Sequence, residues 1–263
     1  MSSVDPFGPS ETRFRREFAI GATGIAAVLA VLFVAQPDLD LAISSVARDA
    51  CAVSPASPRA GWCLTDAVDL ARHAFMAIFI LSAIGIVAWA IRELVVERNL
   101  VGTNQLRCGF MIAVLVMGPG VVANLILKDN VGRARPRDVI EFGGNKEFSP
   151  ALVPSQECAK NCSFVSGEAS SMFALFFGLA LAVPRYRRQL FMAGVTIGLL
   201  AGGVRIIQGA HFFSDVLFAG VFMALTVSLL HVAFIGAWRD QTPAARSFRD
   251  PLGAVMKLRR IRI

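Results

Sequence analysis

Long runs without a charged side chain recur along this chain, and they restrict it to very few folds. Phe18–Gln36, Ala74–Ile91, Cys108–Leu127 and Val216–Trp238 are each uncharged through their centres. A run of about 20 apolar residues is what a helix needs to cross a hydrocarbon core of about 30 Å. Inside lipid every backbone N–H and C=O must be satisfied within the segment, which a helix achieves alone. Two weaker segments carry a polar tip: Ala169–Val183, short unless Ser166 to Glu168 belong to it, and Leu190–Gln208, which runs into Arg205. Composition agrees, at 55% hydrophobic and 17% charged residues, against roughly a quarter charged in soluble domains. The expected fold is all-α, a polytopic membrane bundle of six transmembrane helices. The first run follows Arg13, Arg15 and Arg16 as a signal peptide would. It exceeds the ~7–15 residues of a signal core and no A-x-A site follows, so a retained helix is expected.

Basic residues give the orientation. With the N-terminus inside, the inward parts are the N-terminal tail, the loop Arg92–Arg107, the "PRYRRQ" turn Pro184–Gln189 and the C-terminal tail, which together hold sixteen of the 26 Lys and Arg. That excess is what the positive-inside rule predicts, so both termini are expected to be cytoplasmic. The division expected is a tail over 1–17, the six-helix domain over 18–238 and a basic tail over 239–263. The second tail, "RSFRDPLGAVMKLRRIRI", suits anionic lipid at the inner face or solvent. Lacking an aromatic-interleaved basic patch, the net charge of +7 does not point to nucleic acid.

Cysteines check that topology independently. Cys51 and Cys63 fall in the first outward loop, Cys158 and Cys162 in the second, and Cys108 at an inward boundary. Two outward pairs are what an oxidising compartment permits; buried free thiols are the other reading. Neither loop sets a third Cys or a His beside its pair, which argues against zinc.

Polar residues concentrate in three outward places. The first is "KDNVGRARP", where Lys128 and Arg135 are seven apart, about two helical turns, and so are expected on one face. Pro136 is expected to force Arg135 toward extended geometry and to end the helix there. The second is "NCSFVSGEASS", Asn161 to Ser171, which sets Ser166, Gly167 and then Glu168 at the start of an apolar run. The third is "RIIQGAHFFSD", where His211 and Asp215 are four apart and share a face if a helix begins by His211. Each piece alone suits lipid-facing loop charges or a helix-end pair. Together, Lys128, Arg135, Arg205, the Ser166 hydroxyl and the backbone N–H groups of Ser166 and Gly167 make a cage for a tetrahedral oxyanion. An imidazole backed by a carboxylate stands beside it.

At these positions the chain resembles the type 2 phosphatidic acid phosphatases, whose signatures are K-x6-RP, PSGH and SR-x5-H-x3-D. Lys128, Arg135 and Pro136 match the first, and Arg205, His211 and Asp215 match the third at the same spacing. The second reads "VSGE", with Val165 for Pro and Glu168 for His, and Val204 replaces the Ser of the third. The resemblance implies attack by His211 on phosphorus to give a phosphohistidine, with Asp215 fixing its tautomer. Lys128, Arg135, Arg205 and the Ser166-Gly167 turn would hold the phosphoryl oxygens. It implies no metal and no other cofactor, because cations of the protein neutralise the developing charge.

Glu168 stands where the family's acid histidine stands, and a carboxyl group near three cations is ordinarily ionised. Three readings remain open: a protonated acid, a base for water in the second step, or a site that binds phosphate without turnover. The resemblance favours a lipid phosphatase of the bacterial inner membrane with its site on the periplasmic side. A lipid A phosphate is expected before phosphatidylglycerophosphate or undecaprenyl diphosphate, with the 1- and 4'-positions undistinguished. A vanadate haloperoxidase shares the cage but is typically soluble. A lipid-phosphate binding protein or transporter should carry polar residues on through the membrane, where only His231 is found. His231 is expected to pack or to lie at the inner interface.

Overall fold

The computed structural model describes residues 9–51, 61–96 and 103–241, and their regular structure is helical. In chain order these residues form α1 (Pro9–Ala35), α2 (Asp38–Cys51), α3 (Asp66–Val96), α4 (Thr103–Leu115, continued by a π-helix over Val116–Lys128), α5 (Gly167–Ala182), α6 (Arg187–Ile207) and α7 (Phe213–Gln241). The connection from the π-helix to α5 holds short 3-10 turns and one isolated bridge, Val139 to Lys146. Residues 1–8 and 242–263, and with them part of the first expected tail and most of the second, lie outside the described residues.

Among the described residues, five helices are long and apolar enough to cross a membrane: Arg13–Ala35, Asp66–Val95, Asn104–Lys128, Pro184–Ile207 and Phe213–Phe234. The sixth expected crossing, α5, has only 16 residues, which at 1.5 Å each fall short of a hydrocarbon core of about 30 Å. Its surroundings explain the length. Ala169, Met172, Phe173, Ala174, Leu175 and Phe177 of α5 are all buried, so it is matched to its helix neighbours rather than to lipid. By contrast, α3 leaves Leu70, Ile80, Leu81, Ile84, Ile91 and Leu94 exposed, and α1 leaves Ile20, Val28 and Val31 exposed. Soluble proteins rarely expose contiguous apolar surface beyond a few hundred Å², so these faces belong against acyl chains.

Close helix approach rests on small residues, as it must where lipid offers no hydrophobic drive to association. Gly194, Gly198 and Gly202 recur every fourth residue and line one face of α6. A Cβ on Gly194 would stand 2.9 Å from the Phe176 side chain, and one on Gly198 would stand 2.5 Å from the Phe173 ring. The aromatic rings of α5 thus occupy the volume that side chains on α6 would take. His231 is buried on α7, its ring 5.3 Å from that of Phe110, which is the packing role expected for it.

Two elements depart from the sequence reading. Residues 38–51 form a helix where an outward loop was expected, because the acidic first turn with Asp38 and Asp40 and the polar Ser44, Ser45 and Arg48 hide its apolar stripe. The helix expected over Cys108–Leu127 changes winding at Val116. Pro119 within that stretch has no N–H to give to the α-ladder, and the Asn124 side-chain amide donates to the Pro119 carbonyl at 2.7 Å. Lys128 ends this wider helix beside the start of α5.

Candidate active site

Backbone hydrogen bonds stitch the three polar segments together. Cys162 N–H donates to the Lys128 carbonyl at 3.3 Å, Ser163 N–H to the Arg133 carbonyl at 2.9 Å, and Ser166 N–H to the Asp215 carbonyl at 3.2 Å. Residues far apart in sequence therefore meet at one end of the bundle. Disulfides Cys51–Cys63 and Cys158–Cys162 tie the same region, and the fifth cysteine, Cys108, is a buried free thiol. The second bridge encloses Asn161, whose carbonyl accepts from an Arg135 guanidinium N–H at 2.7 Å.

Lys128 and Arg135 do not share a helix face. The helix ends by Asn130, whose amide caps the Leu125 and Ile126 carbonyls at 3.0 and 2.8 Å. Gly132 then turns the chain with φ of 72°. Arg135 is extended, as a residue before proline must be, with φ −86° and ψ 154°. It lies in the connection after the helix and not at the helix end. Lys128 is nine-tenths buried and reaches α5: a Cβ on Gly167 would stand 2.9 Å from its Nζ. Glycine at 167 is the residue type that leaves room for that ammonium.

His211 is fully buried in the turn before α7. Its Nδ1 lies 2.6 Å from the Ser163 carbonyl oxygen, which can only accept, so the proton sits on Nδ1. The Nε2 lone pair is thereby free, and Nε2 is buried without a hydrogen-bond partner. Asp215 Oδ2 is 3.7 Å from Nδ1. The tautomer is thus fixed by a backbone carbonyl, where Asp215 had been expected to fix it. The helix also begins at Phe213, after His211, so the pair meets through a turn and not along one helix face. Burial pushes the imidazole down to about 4 from its ordinary 6.5, against the opposing influence of Asp215.

Asp215 has other partners. Its carboxylate accepts from the Phe212 N–H at 2.8 Å, as a helix-capping acid does, and from the Ser163 hydroxyl at 2.5 Å. Arg133, fully buried, donates to Asp215 Oδ1 at 2.5 Å, to Asp40 Oδ2 on α2 at 2.9 Å, to the Ser214 hydroxyl at 2.9 Å and to the Ser149 carbonyl at 2.8 Å. Its guanidinium also lies 4.2 Å from the Phe212 ring centroid. Burial pushes the Asp40 carboxyl up from its ordinary range, and the charge of Arg133 opposes it. Arg133 and Asp40 were not read as site residues. A signal existed for Arg133, a third cation inside "KDNVGRARP", but spacing alone gave it no partner.

Ser166 precedes the first turn of α5, and its hydroxyl is buried without a partner. Its N–H is already given to Asp215, so Ser166 brings the hydroxyl to an anion and not the amide that was expected. Glu168 Oε1 lies 3.3 Å from Arg205 Nε and 3.2 Å from Arg72 Nε. Arg205 also donates to the Gln208 side-chain oxygen, and the Gln208 amide donates to Asp69 at 2.8 Å. Asp69 and Arg72 lie outside the three motifs and were missed, since only tertiary packing of α3 brings them here, while Gln208 lies inside the third segment but between its fixed positions. A cavity of about 260 Å³ opens beside the cluster, with Phe75, Met76, Phe79 and Ile80 of α3 on one wall and Lys128, Gly167 and Glu168 at its polar end.

The cluster can hold a tetrahedral anion between cations and present it to an unprotonated imidazole nitrogen. Residues 109–239 match the family model described as the PAP2 superfamily. The chain is 45% identical over 124 residues to the lipid A 4'-phosphatase of Francisella tularensis subsp. novicida, covering 46% of this chain and 56% of that protein. It is 37% identical over 153 residues to the lipid A 4'-phosphatase of Rhizobium etli, covering 56% and 58%. It is 35% identical over 122 residues to the Rhizobium etli lipid A 1-phosphatase, covering 45% and 48%. The matched part thus spans about half to three-fifths of these relatives' lengths. Among solved structures, a PAP2-type phosphatidylglycerolphosphate phosphatase from Bacillus subtilis superposes with a TM-score of 0.44 at 18% identity, covering 82% of this chain and 96% of that one.

Proposed function

Because residues 109–239 make this chain a member of the PAP2 superfamily, we propose that it is a membrane lipid phosphatase that hydrolyses a phosphomonoester of lipid A through a phosphohistidine on His211. One observation carries this reading: His211 Nε2 and the Ser166 hydroxyl, both buried, have no hydrogen-bond partner in a cluster that also holds Lys128 and Arg205. Buried polar atoms are ordinarily paired, so this pair marks a place for a polar ligand. The likeness to lipid A 4'-phosphatases and to a 1-phosphatase supports the substrate class, and the apolar wall of α3 beside Lys128 and Glu168 suits an acyl-bearing substrate entering from the bilayer.

In the first step Nε2 of neutral His211 attacks phosphorus and the bond to the lipid oxygen breaks. The leaving oxygen takes the proton that a phosphomonoester monoanion carries, and Nδ1 keeps its own against Ser163. Lys128, Arg135, Arg205 and the Ser166 hydroxyl hold the phosphoryl oxygens as charge shifts among them. In the second step water attacks the phosphohistidine, Glu168 takes its proton and returns it to the departing phosphate, and neutral His211 is restored. Two guanidinium partners on Oε1 favour this role for Glu168 over that of a proton donor, since an ion-paired carboxylate accepts hydrogen bonds. The disulfides and the excess of basic residues on the opposite side support a periplasmic site in an inner membrane, with six crossings and cytoplasmic termini facing anionic lipid.

The test is phosphate release by purified protein in detergent from lipid A carrying phosphate at both positions, at the 1-position alone or at the 4'-position alone. Phosphatidylglycerophosphate and undecaprenyl diphosphate complete the panel. Turnover of a lipid A phosphate well above the other two lipids is expected. Binding of these lipids without any phosphate release would contradict the reading.

A further inference from the structure

Arg72 belongs to none of the three polar motifs, yet it shares an acceptor atom with one of their arginines. Arg72 Nε and Arg205 Nε converge on the same oxygen, Glu168 Oε1, at 3.2 and 3.3 Å. Asp69 stands one turn before Arg72 on α3 and meets Gln208, which in turn accepts from Arg205. One face of the α3 end therefore contributes a cation to Glu168 and, through Gln208, an anchor to Arg205.

Charge makes this arrangement necessary. A phosphate group arriving beside Lys128 and Arg205 brings at least one negative charge to within reach of the Glu168 carboxylate. Two like charges this close in a partly desolvated cleft repel strongly unless a cation intervenes. Without Arg72, Lys128 and Arg205 would have to serve both anions. A neutral or cationic side chain at position 168 would raise no such difficulty, so the need arises from the carboxylate itself.

Resting on the phosphatase reading, we propose that Arg72 is a positioning residue that neutralises Glu168 and so frees Arg205 for the phosphate. Arg72 is the counter-charge that lets a carboxylate stand in this anion cage. Its own side chain is one-third exposed, and that of Glu168 19%, so the pair is reached by water and is not a buried structural lock. Arg72 acts on the anion only through Glu168.

The dependence on Glu168 supplies the test. Affinity for orthovanadate, a tetrahedral oxyanion, is measured by titration calorimetry on the full-length protein in detergent. Four proteins are compared: native, Arg72→Ala, Glu168→Gln and the double variant. Arg72→Ala should weaken binding about tenfold when residue 168 is Glu and less than about twofold when it is Gln, the coupling expected of residues in direct contact. Arg72→Lys, which keeps the charge, should stay within about threefold of native. Comparable losses in both backgrounds would overturn the proposal, because Arg72 would then be acting on the anion or the fold directly. An unchanged affinity in Arg72→Ala would overturn it too. Failure of the native protein to bind orthovanadate at all would reject the phosphatase reading, and this proposal with it.

Discussion

The Ser163 carbonyl oxygen lies 2.6 Å from His211 Nδ1, nearer than Asp215 Oδ2 at 3.7 Å. A backbone group sets the tautomer, and no side-chain substitution removes it. Asp215→Asn should therefore leave Nε2 unprotonated and aimed as before, and lower kcat by roughly 10- to 100-fold through lost charge support, with little change in KM. Steady-state kinetics on the lipid substrate would show this, with His211→Ala lacking turnover altogether.

Arg133 joins two buried carboxylates, Asp40 and Asp215. Removing it strands both, and losing one member of a buried ion pair costs about 3–5 kcal/mol. Arg133→Met is expected to lower the unfolding temperature in detergent much more than Asp40→Asn, which leaves the Arg133 pairing with Asp215 in place. Equal shifts in the two variants would contradict the role of Arg133 as the joint between the two carboxylates.

Burial holds His211 at about 4, below its ordinary 6.5. The nucleophile is then unprotonated from roughly pH 5 upward, so kcat/KM should show no acidic limb near the usual histidine range. Stability follows the opposite course. Unfolded chains bind a proton at this side chain near 6.5 while the folded protein resists until about 4. Between those values the unfolded state holds more protons, so stability falls as pH drops and is indifferent to His211 above them. Unfolding temperatures and rate profiles taken on the same samples would test both; an acidic rate limb centred near 6.5, with activity lost as pH falls through it, would contradict the assignment.

The Cys158–Cys162 bridge encloses the Asn161 carbonyl that receives Arg135 and adjoins Ser163. Cys162→Ser should cost several-fold in KM, as Arg135 loses a fixed partner, with a smaller effect on kcat. In intact spheroplasts a membrane-impermeant maleimide should label Cys51, Cys63, Cys158 and Cys162 only after reduction. Labelling without reductant would remove the case for an oxidising side.

Apolar runs and basic loops were enough to expect a helical membrane bundle, because burial in lipid imposes its requirement on every crossing residue by residue. The motif spacings brought Lys128, Arg135, Ser166, Glu168, Arg205, His211 and Asp215 under suspicion together, and the structure gathers them at one end of the bundle. What spacing does not carry is the partner of each group. Asp40, Asp69 and Arg72 come from α2 and α3, far from the motifs in sequence, and meet them only through tertiary packing. Helix α2 went unread because polar residues, the buried Asp40 and Ser44 among them, break up its apolar stripe so that it looks like a loop. The distance from His211 to Asp215 looked like one helical turn, but the helix starts after His211 and a backbone carbonyl takes the bond. Local spacing was legible there; competition among acceptors was not.

The central claim, that His211 carries the phosphoryl group, is met most directly in Glu168→Gln protein mixed with lipid substrate and quenched under alkaline conditions that spare phosphohistidine. The account predicts a burst of dephosphorylated lipid without matching free phosphate, and a phosphoryl group on His211 in the recovered peptide. Free phosphate appearing at the same rate as dephosphorylated lipid, with no phosphoryl group on His211, would contradict it.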